Sequence, residues 1–148
     1  MKTKLAAATA VLAGLAVLAS QSPVMAHHAF SAEFDANKPV KFVDAVVTRV
    51  QLINPHSWIH VDVKGADGKI ENWAIEAGSP NILMRRGITK DTVKVGQKIK
   101  VDGYQSKDGS KRANGRDLTL PDGTQLFLGG SGTGAPYEVQ RPGIDTEK

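Results

Sequence analysis

The chain has 148 residues, of which 41% are hydrophobic, 23% charged and 5% aromatic, with a formal net charge of +4 and no cysteine. This is the composition of one ordinary globular domain. Without cysteine there is no disulfide framework, thiolate zinc or iron–sulfur site, covalent haem attachment or redox pair, so any chemistry must come from histidine, carboxylates or backbone.

The first 26 residues read as a secretory leader. Lys2 and Lys4 give a basic start, Leu5 to Ala19 is an uncharged run of Ala, Leu and Val, and Val24 and Ala26 place the expected cut after Ala26. The apolar run is about 15 residues long, short of the roughly 20 that a bilayer-spanning helix needs. A periplasmic mature chain beginning at His27 with a net charge of +2 is therefore expected. It divides into an N-terminal arm (27–39), a β domain (40–128) and a flexible C-terminal tail (129–148).

From Val40 the chain is rich in β-branched residues with period two. Val43, Ala45 and Val47 share one parity, whereas Val50 and Leu52 take the other, which predicts a first strand with a bulge or bend near Thr48 and Arg49. Asn54-Pro55 ends it. Trp58 to Val63 alternates again, and Gly65-Ala66-Asp67-Gly68 turns it into Ile70 to Glu76, a hairpin. Ser79 as N-cap, Pro80 at the first helical position, apolar Ile82, Leu83 and Met84, and a closing Gly87 predict a helix of about two turns.

A fourth strand follows through Ile99 and Val101, a turn at Lys107-Asp108-Gly109, a fifth strand from about Lys111 to Leu120, and a last short strand, Gln125 to Leu128. The glycine run from Gly129 to Gly134 then opens a tail with little to bury. A long bent first strand and a helix between the third and fourth strands predict an all-β fold with one short helix, a small OB-like Greek-key barrel. Another small antiparallel barrel or a sandwich is the alternative. Val47, Ile59, Val61, Ile99 and Val101 are expected to share its core.

Several stretches carry a resemblance: His27-His28-Ala29-Phe30-Ser31-Ala32-Glu33-Phe34-Asp35, Asn54-Pro55-His56-Ser57-Trp58-Ile59, Asn72-Trp73-Ala74-Ile75-Glu76, Pro80-Asn81 to Arg85-Arg86-Gly87, and Leu120-Pro121-Asp122-Gly123. Over about residues 27 to 128 the chain resembles a family of exported bacterial proteins catalogued only as a domain of unknown function. The resemblance implies a small secreted β-rich domain and no particular reaction, substrate or cofactor.

All four histidines fall in two places, His27 and His28 at the expected mature terminus and His56 and His60 around the second strand. After a cut behind Ala26, His27 offers its α-amine and its imidazole, a chelating pair suited to copper(II), and one more imidazole completes a three-nitrogen site. In this the terminus, and only the terminus, is similar to exported copper proteins with a histidine brace. A cut one residue earlier gives Ala26-His27-His28, which binds copper(II) through amine, backbone nitrogens and a third-position imidazole. On a straight strand His56 and His60 lie about 13 Å apart at roughly 3.3 Å per residue. His56, at the turn, is the expected ligand. The plainer alternative is that His27 and His28 begin an exposed arm and His56 braces the Asn54-Pro55 turn.

Charge is unevenly spread. Residues 85–117 carry 10 basic and 4 acidic side chains, against 5 and 7 in residues 27–84. This basic belt, represented by Arg85, Arg86, Lys98, Lys100, Arg112 and Arg116, gives a second reading, an envelope module that binds an anionic partner. The belt is equally what a solvated face would carry. Enzyme motifs are weak. His56-Ser57-Trp58-Ile59-His60 has the spacing of a helical zinc site without its glutamate, and Gly78-Ser79-Pro80 is a helix cap rather than a nucleophile elbow. Trp58, Trp73 and Tyr104 would make either a ligand-binding aromatic face or core. A non-enzymatic, exported binding protein with copper as ligand is expected, with no nucleic acid partner.

Overall fold

The computed structural model describes residues 30–130 and 132–140. The expected leader and the two histidines His27 and His28 lie outside the described residues. Six strands and three short helices follow one another: α1 (Phe30–Glu33), β1 (Phe34–Gln51), β2 (Ser57–Lys64), β3 (Ile70–Ala77), α2 (Pro80–Arg85), β4 (Lys98–Ser106), β5 (Arg112–Thr119), β6 (Gln125–Phe127) and α3 (Pro136–Gln140). The protein is all-β with few helical turns. Hydrogen bonding runs in the order β3-β2-β1-β4-β5-β6, and a further pairing of β3 with β5 closes β1, β2, β3, β5 and β4 into a ring. That last pair is parallel, Ala74 to Glu76 against Arg112 to Asn114, and every other pair is antiparallel.

β1 is long enough to pair with β2 on one side and β4 on the other because it bends. The expected bulge is present: between Val47 and Arg49 the register against β2 gains one residue. A second shift, between Phe42 and Ala45 against β4, is one that parity alone did not reveal. Its effect is plain at Val43, which shares the parity of Ala45 and Val47 yet is 57% exposed while they are buried. A third irregularity lies between Phe34 and Pro39. An inserted residue reverses which side chains face inward, so the inward face of β1 changes along its length.

The β2–β3 hairpin keeps one register from Ser57–Ala77 to Lys64–Ile70, as its uninterrupted alternation requires. Ser79 has the extended backbone of an N-cap and Pro80 opens the helix, although the Ser79 hydroxyl makes no capping bond. Gly87, at φ 78°, closes it. The five aliphatics expected inside all belong to the main core, joined by Val63, Trp73, Ile75, Leu83, Ile88, Val93, Ala113, Leu118 and Leu128.

Both ends of the domain differ from expectation. The segment read as an arm forms α1 and the first part of β1, with Phe34 opposite Ser106 and Pro39 opposite Tyr104 in β4. The segment read as a loose tail is packed over residues 132–138, and Ala135 and Tyr137 are each only 1% exposed. They form a second cluster with Phe30, Phe34 and Tyr104, against which Phe127 packs. Phe30 meets Tyr104 edge-on at 5.4 Å and Phe127 meets Tyr137 edge-on at 5.3 Å. Gly129 belongs to this packing rather than to a linker, since a Cβ there would stand 2.5 Å from the Tyr137 ring. Residues 141–148 of the expected tail lie outside the described residues.

Candidate functional site

The two central histidines, four residues apart, sit in different chemical settings. His60 points out from β2 into a polar patch in which its Nε2 lies 3.0 Å from Arg49 Nη2 and 3.0 Å from Gln51 Oε1. Burial and the Arg49 charge hold its pKa below the ordinary imidazole value, so the ring is neutral at pH 7. Its Nε2 lies between a guanidinium donor and an amide oxygen.

His56 lies in the turn before β2, following the cis Asn54–Pro55 bond. Its Nδ1 stands 3.4 Å from Glu76 Oε1, and both side chains are largely buried. Glu76 sits near the end of β3, where that strand pairs with Trp58 of β2 and with Asn114 of β5. The carboxylate is 8% exposed and receives a hydrogen bond of 3.3 Å from Asn114 Nδ2. Asn114 in turn accepts one of 3.0 Å on its Oδ1 from the Tyr137 hydroxyl. A buried carboxylate needs such donors, because desolvation without them costs several kcal/mol. Burial pushes Tyr137 up to about 12, with hydrogen bonds from Thr133 and the Gly130 backbone acting the other way.

A cleft opens beside His56, bordered by Pro55, Gly78, Ser79, Ile82, Gly130 and Thr133. The C-terminal segment forms one of its walls and is tied in place from several directions. Glu138 accepts from the Thr133 amide at 2.8 Å, the Thr133 hydroxyl at 2.7 Å and the Gly134 amide at 3.1 Å. Arg86 reaches from the end of α2 to donate to the Phe127 and Gly129 carbonyls and lies 4.6 Å over the Phe127 ring. The N-terminal segment joins at the same place, since the Phe30 amide donates to the Thr133 carbonyl at 2.8 Å. Among the described residues there is no group of three or more His, Cys, Asp or Glu arranged to hold a metal ion.

The basic belt does not form one free surface. Arg86 is half-buried against the C-terminal segment, and burial holds it down to about 10. Arg112 lies between Glu33, at 3.6 Å, and Asp108, at 3.4 Å, and Arg116 Nε is 2.7 Å from Asp117. Arg85, Lys98 and Lys100 are exposed, the last two beside Val43, Asp44 and Leu120. The aromatic residues also divide. Trp73 is core, its ring tilted against Phe42 at 4.9 Å and covered by Lys111, whereas Tyr104 belongs to the second cluster. Trp58 is half-buried.

Sequence reasoning missed Glu76 as a partner of His56, together with Asn114 and Tyr137. Glu76 ends an alternating strand and reads as an ordinary surface carboxylate. Only the parallel β3–β5 pairing, which joins residues 38 apart, brings Asn114 to it.

A family of unknown function (DUF6152) matches residues 14–115. The chain belongs to that family. No curated protein and no solved structure matches it.

Proposed function

We propose that the chain is an exported, non-enzymatic metal-binding protein that takes copper(II) at its mature N-terminus, with His56 as the distal ligand. The observation that carries this reading is the common border of His56 and the N-terminal segment: Thr133 lines the His56 cleft and its carbonyl holds the Phe30 amide. Extended chain covers at most roughly 7 Å over the two residues from Phe30 to His28 and roughly 11 Å over the three to His27. The proposal requires the mature terminus to come to His56 within that span.

The donor chemistry suits copper. An α-amine, an imidazole of the same residue and a second imidazole make a nitrogen set for which copper(II) ranks highest among the divalent first-row metals. Glu76 supports His56 as an outer carboxylate, which fixes a ligating ring and raises its basicity. His60 is the less suited of the two, because its Nε2 already lies against Arg49 and Gln51. An anionic partner for the basic belt has less support, since Arg86, Arg112 and Arg116 are spent on contacts within the protein.

The reading is tested on protein processed in its native export pathway so that it begins at His27. This form is expected to bind copper(II) much more tightly than a form extended by one residue, in which the α-amine is an amide. Equal affinity of the two forms would remove the terminal amine from the site and with it the proposal.

A further inference from the structure

We infer that the end of the ring opposite the His56 cleft is a docking face for a bilayer surface rich in anionic phospholipid. Val43 and Ile70 enter the interface there, and Lys41, Lys64, Lys98 and Lys100 meet the phosphates. Nothing in this depends on the copper site.

Val43 marks the middle of this face. The register shift between Phe42 and Ala45 turns it outward, and it is 57% exposed. Two clefts meet at it and share Val43 and Asp44. One runs past Lys98 and Lys100 to the turn after β5, and the other is bordered by Lys41 and by Lys64 at the end of β2. Ile70, 66% exposed, stands opposite Lys64 in the β2–β3 hairpin. Because β2 runs from the His56 turn to Lys64, the face lies roughly 25 Å along the strand from the candidate metal site.

The two clefts carry four lysines and one aspartate, a net charge of +3, against +2 for the whole chain from His27. The rest of that chain is therefore net negative, and a general excess of solubilising lysine does not account for the concentration here. All four lysines are exposed. Lys69 and Lys111 face carboxylates at 3.4 and 2.8 Å, and Arg112 and Arg116 do likewise, whereas these four have no carboxylate partner among the described residues.

The chemistry of this set selects its occupant. Lysine carries a compact charge on a flexible four-carbon stem, which suits the many shifting phosphates of a bilayer, while a single fixed phosphate is better held by the planar fork of arginine. The stems lie along apolar surface and keep the ammonium groups at the level of the phosphates. A soluble polyanion would use the charges and have no use for Val43 and Ile70. At a bilayer surface those side chains leave water for the boundary between headgroups and acyl chains, and this burial adds to the electrostatic attraction.

Cosedimentation of the exported, mature protein with vesicles tests this. The protein is expected to bind phosphatidylcholine vesicles containing about a third phosphatidylglycerol, to ignore pure phosphatidylcholine, and to be released as salt rises, since exposed charges are screened over about 8 Å at physiological ionic strength. Lys98→Ala with Lys100→Ala should weaken binding about 25-fold, at about fivefold per lysine. Arg85→Ala with Lys107→Ala takes the same charge from the end of α2 and from beyond the far end of β4, and should change binding far less. Val43→Ser should weaken binding to the vesicles at unchanged charge. Failure to bind the anionic vesicles, equal losses from the two double variants, or a Val43→Ser protein that binds vesicles as the unaltered one does would overturn the inference. In the last case, equally tight binding to soluble polyphosphate would make the face a polyanion site instead. Copper(II) uptake should be the same in all of these variants, so a failure of the metal reading and a failure of this one are told apart.

Discussion

The domain has two apolar clusters of different construction. The main one is built mostly of aliphatics from β1 to β5, with alternate residues of β2, β3 and β4 turned to the inside of the ring. The second is built of aromatic rings from the two ends of the described chain: Phe30 and Phe34 from one, Tyr137 from the other, with Tyr104 of β4 between them. The first cluster makes the fold. The second closes one side of it and brings both ends of the described chain to the cleft at His56. A small domain thus keeps its candidate chemistry where the second cluster meets the first, rather than on the sheet face where Trp58 and His60 lie.

This division gives predictions of graded size. Truncation after Gly130 removes Ala135 and Tyr137 and uncovers Phe30, Phe34 and Tyr104, so it should cost about 3 to 5 kcal/mol, the order of deleting a large buried aromatic. Denaturant unfolding of the truncated chain checks this, and a neutral truncation would make the second cluster incidental to the fold. Val61→Ala, within the main core, should cost about 1 to 3 kcal/mol by the same measurement. A loss from Val61→Ala larger than that from truncation would reverse the order of the two clusters.

A pH effect separates the His60 patch from both clusters. The folded pKa of His60 is depressed below its ordinary value of 6.5 by burial and by Arg49. For a base so shifted, the unfolded chain takes up its proton first as pH falls. The stabilisation is present above pH 6.5 and is lost as pH falls through the folded value. Urea midpoints should therefore decline on mild acidification in the unaltered protein and decline less in His60→Gln. The smallest effect is expected at Lys100→Ala, on the exposed parity of β4 between Ile99 and Val101, where a change within about 0.5 kcal/mol should be found.

Much of the first cluster could be read in advance because period-two alternation is a direct record of which side chains face inward. The hairpin from Ser57 to Ala77 and the Ser79-Pro80 start of α2 are local features with local causes. The second cluster was hidden for the opposite reason. Tyr104 and Tyr137 are single aromatics without a periodic neighbour, Phe30 and Phe34 stand four apart in a stretch that reads as an arm, and Gly129 lies in a run that reads as a flexible linker. Close approach of an aromatic ring also demands glycine, and nothing local distinguishes the two uses. Val43 shows a third limit: a bulge set by pairing with β4 leaves no mark in β1 itself. At the candidate site His56 could be singled out by its place in a turn, but Glu76, Asn114 and Tyr137 come together only through long-range pairing.

The most direct test compares His56→Ala with His60→Ala in protein that begins at His27, by copper(II) titration of each. His56→Ala should weaken binding more than about tenfold, and His60→Ala should leave it unchanged, because one imidazole lines the cleft beside a buried carboxylate and the other lies against Arg49 and Gln51. Equal losses, or a larger loss from His60→Ala, would contradict a site assembled where the two ends of the described chain meet.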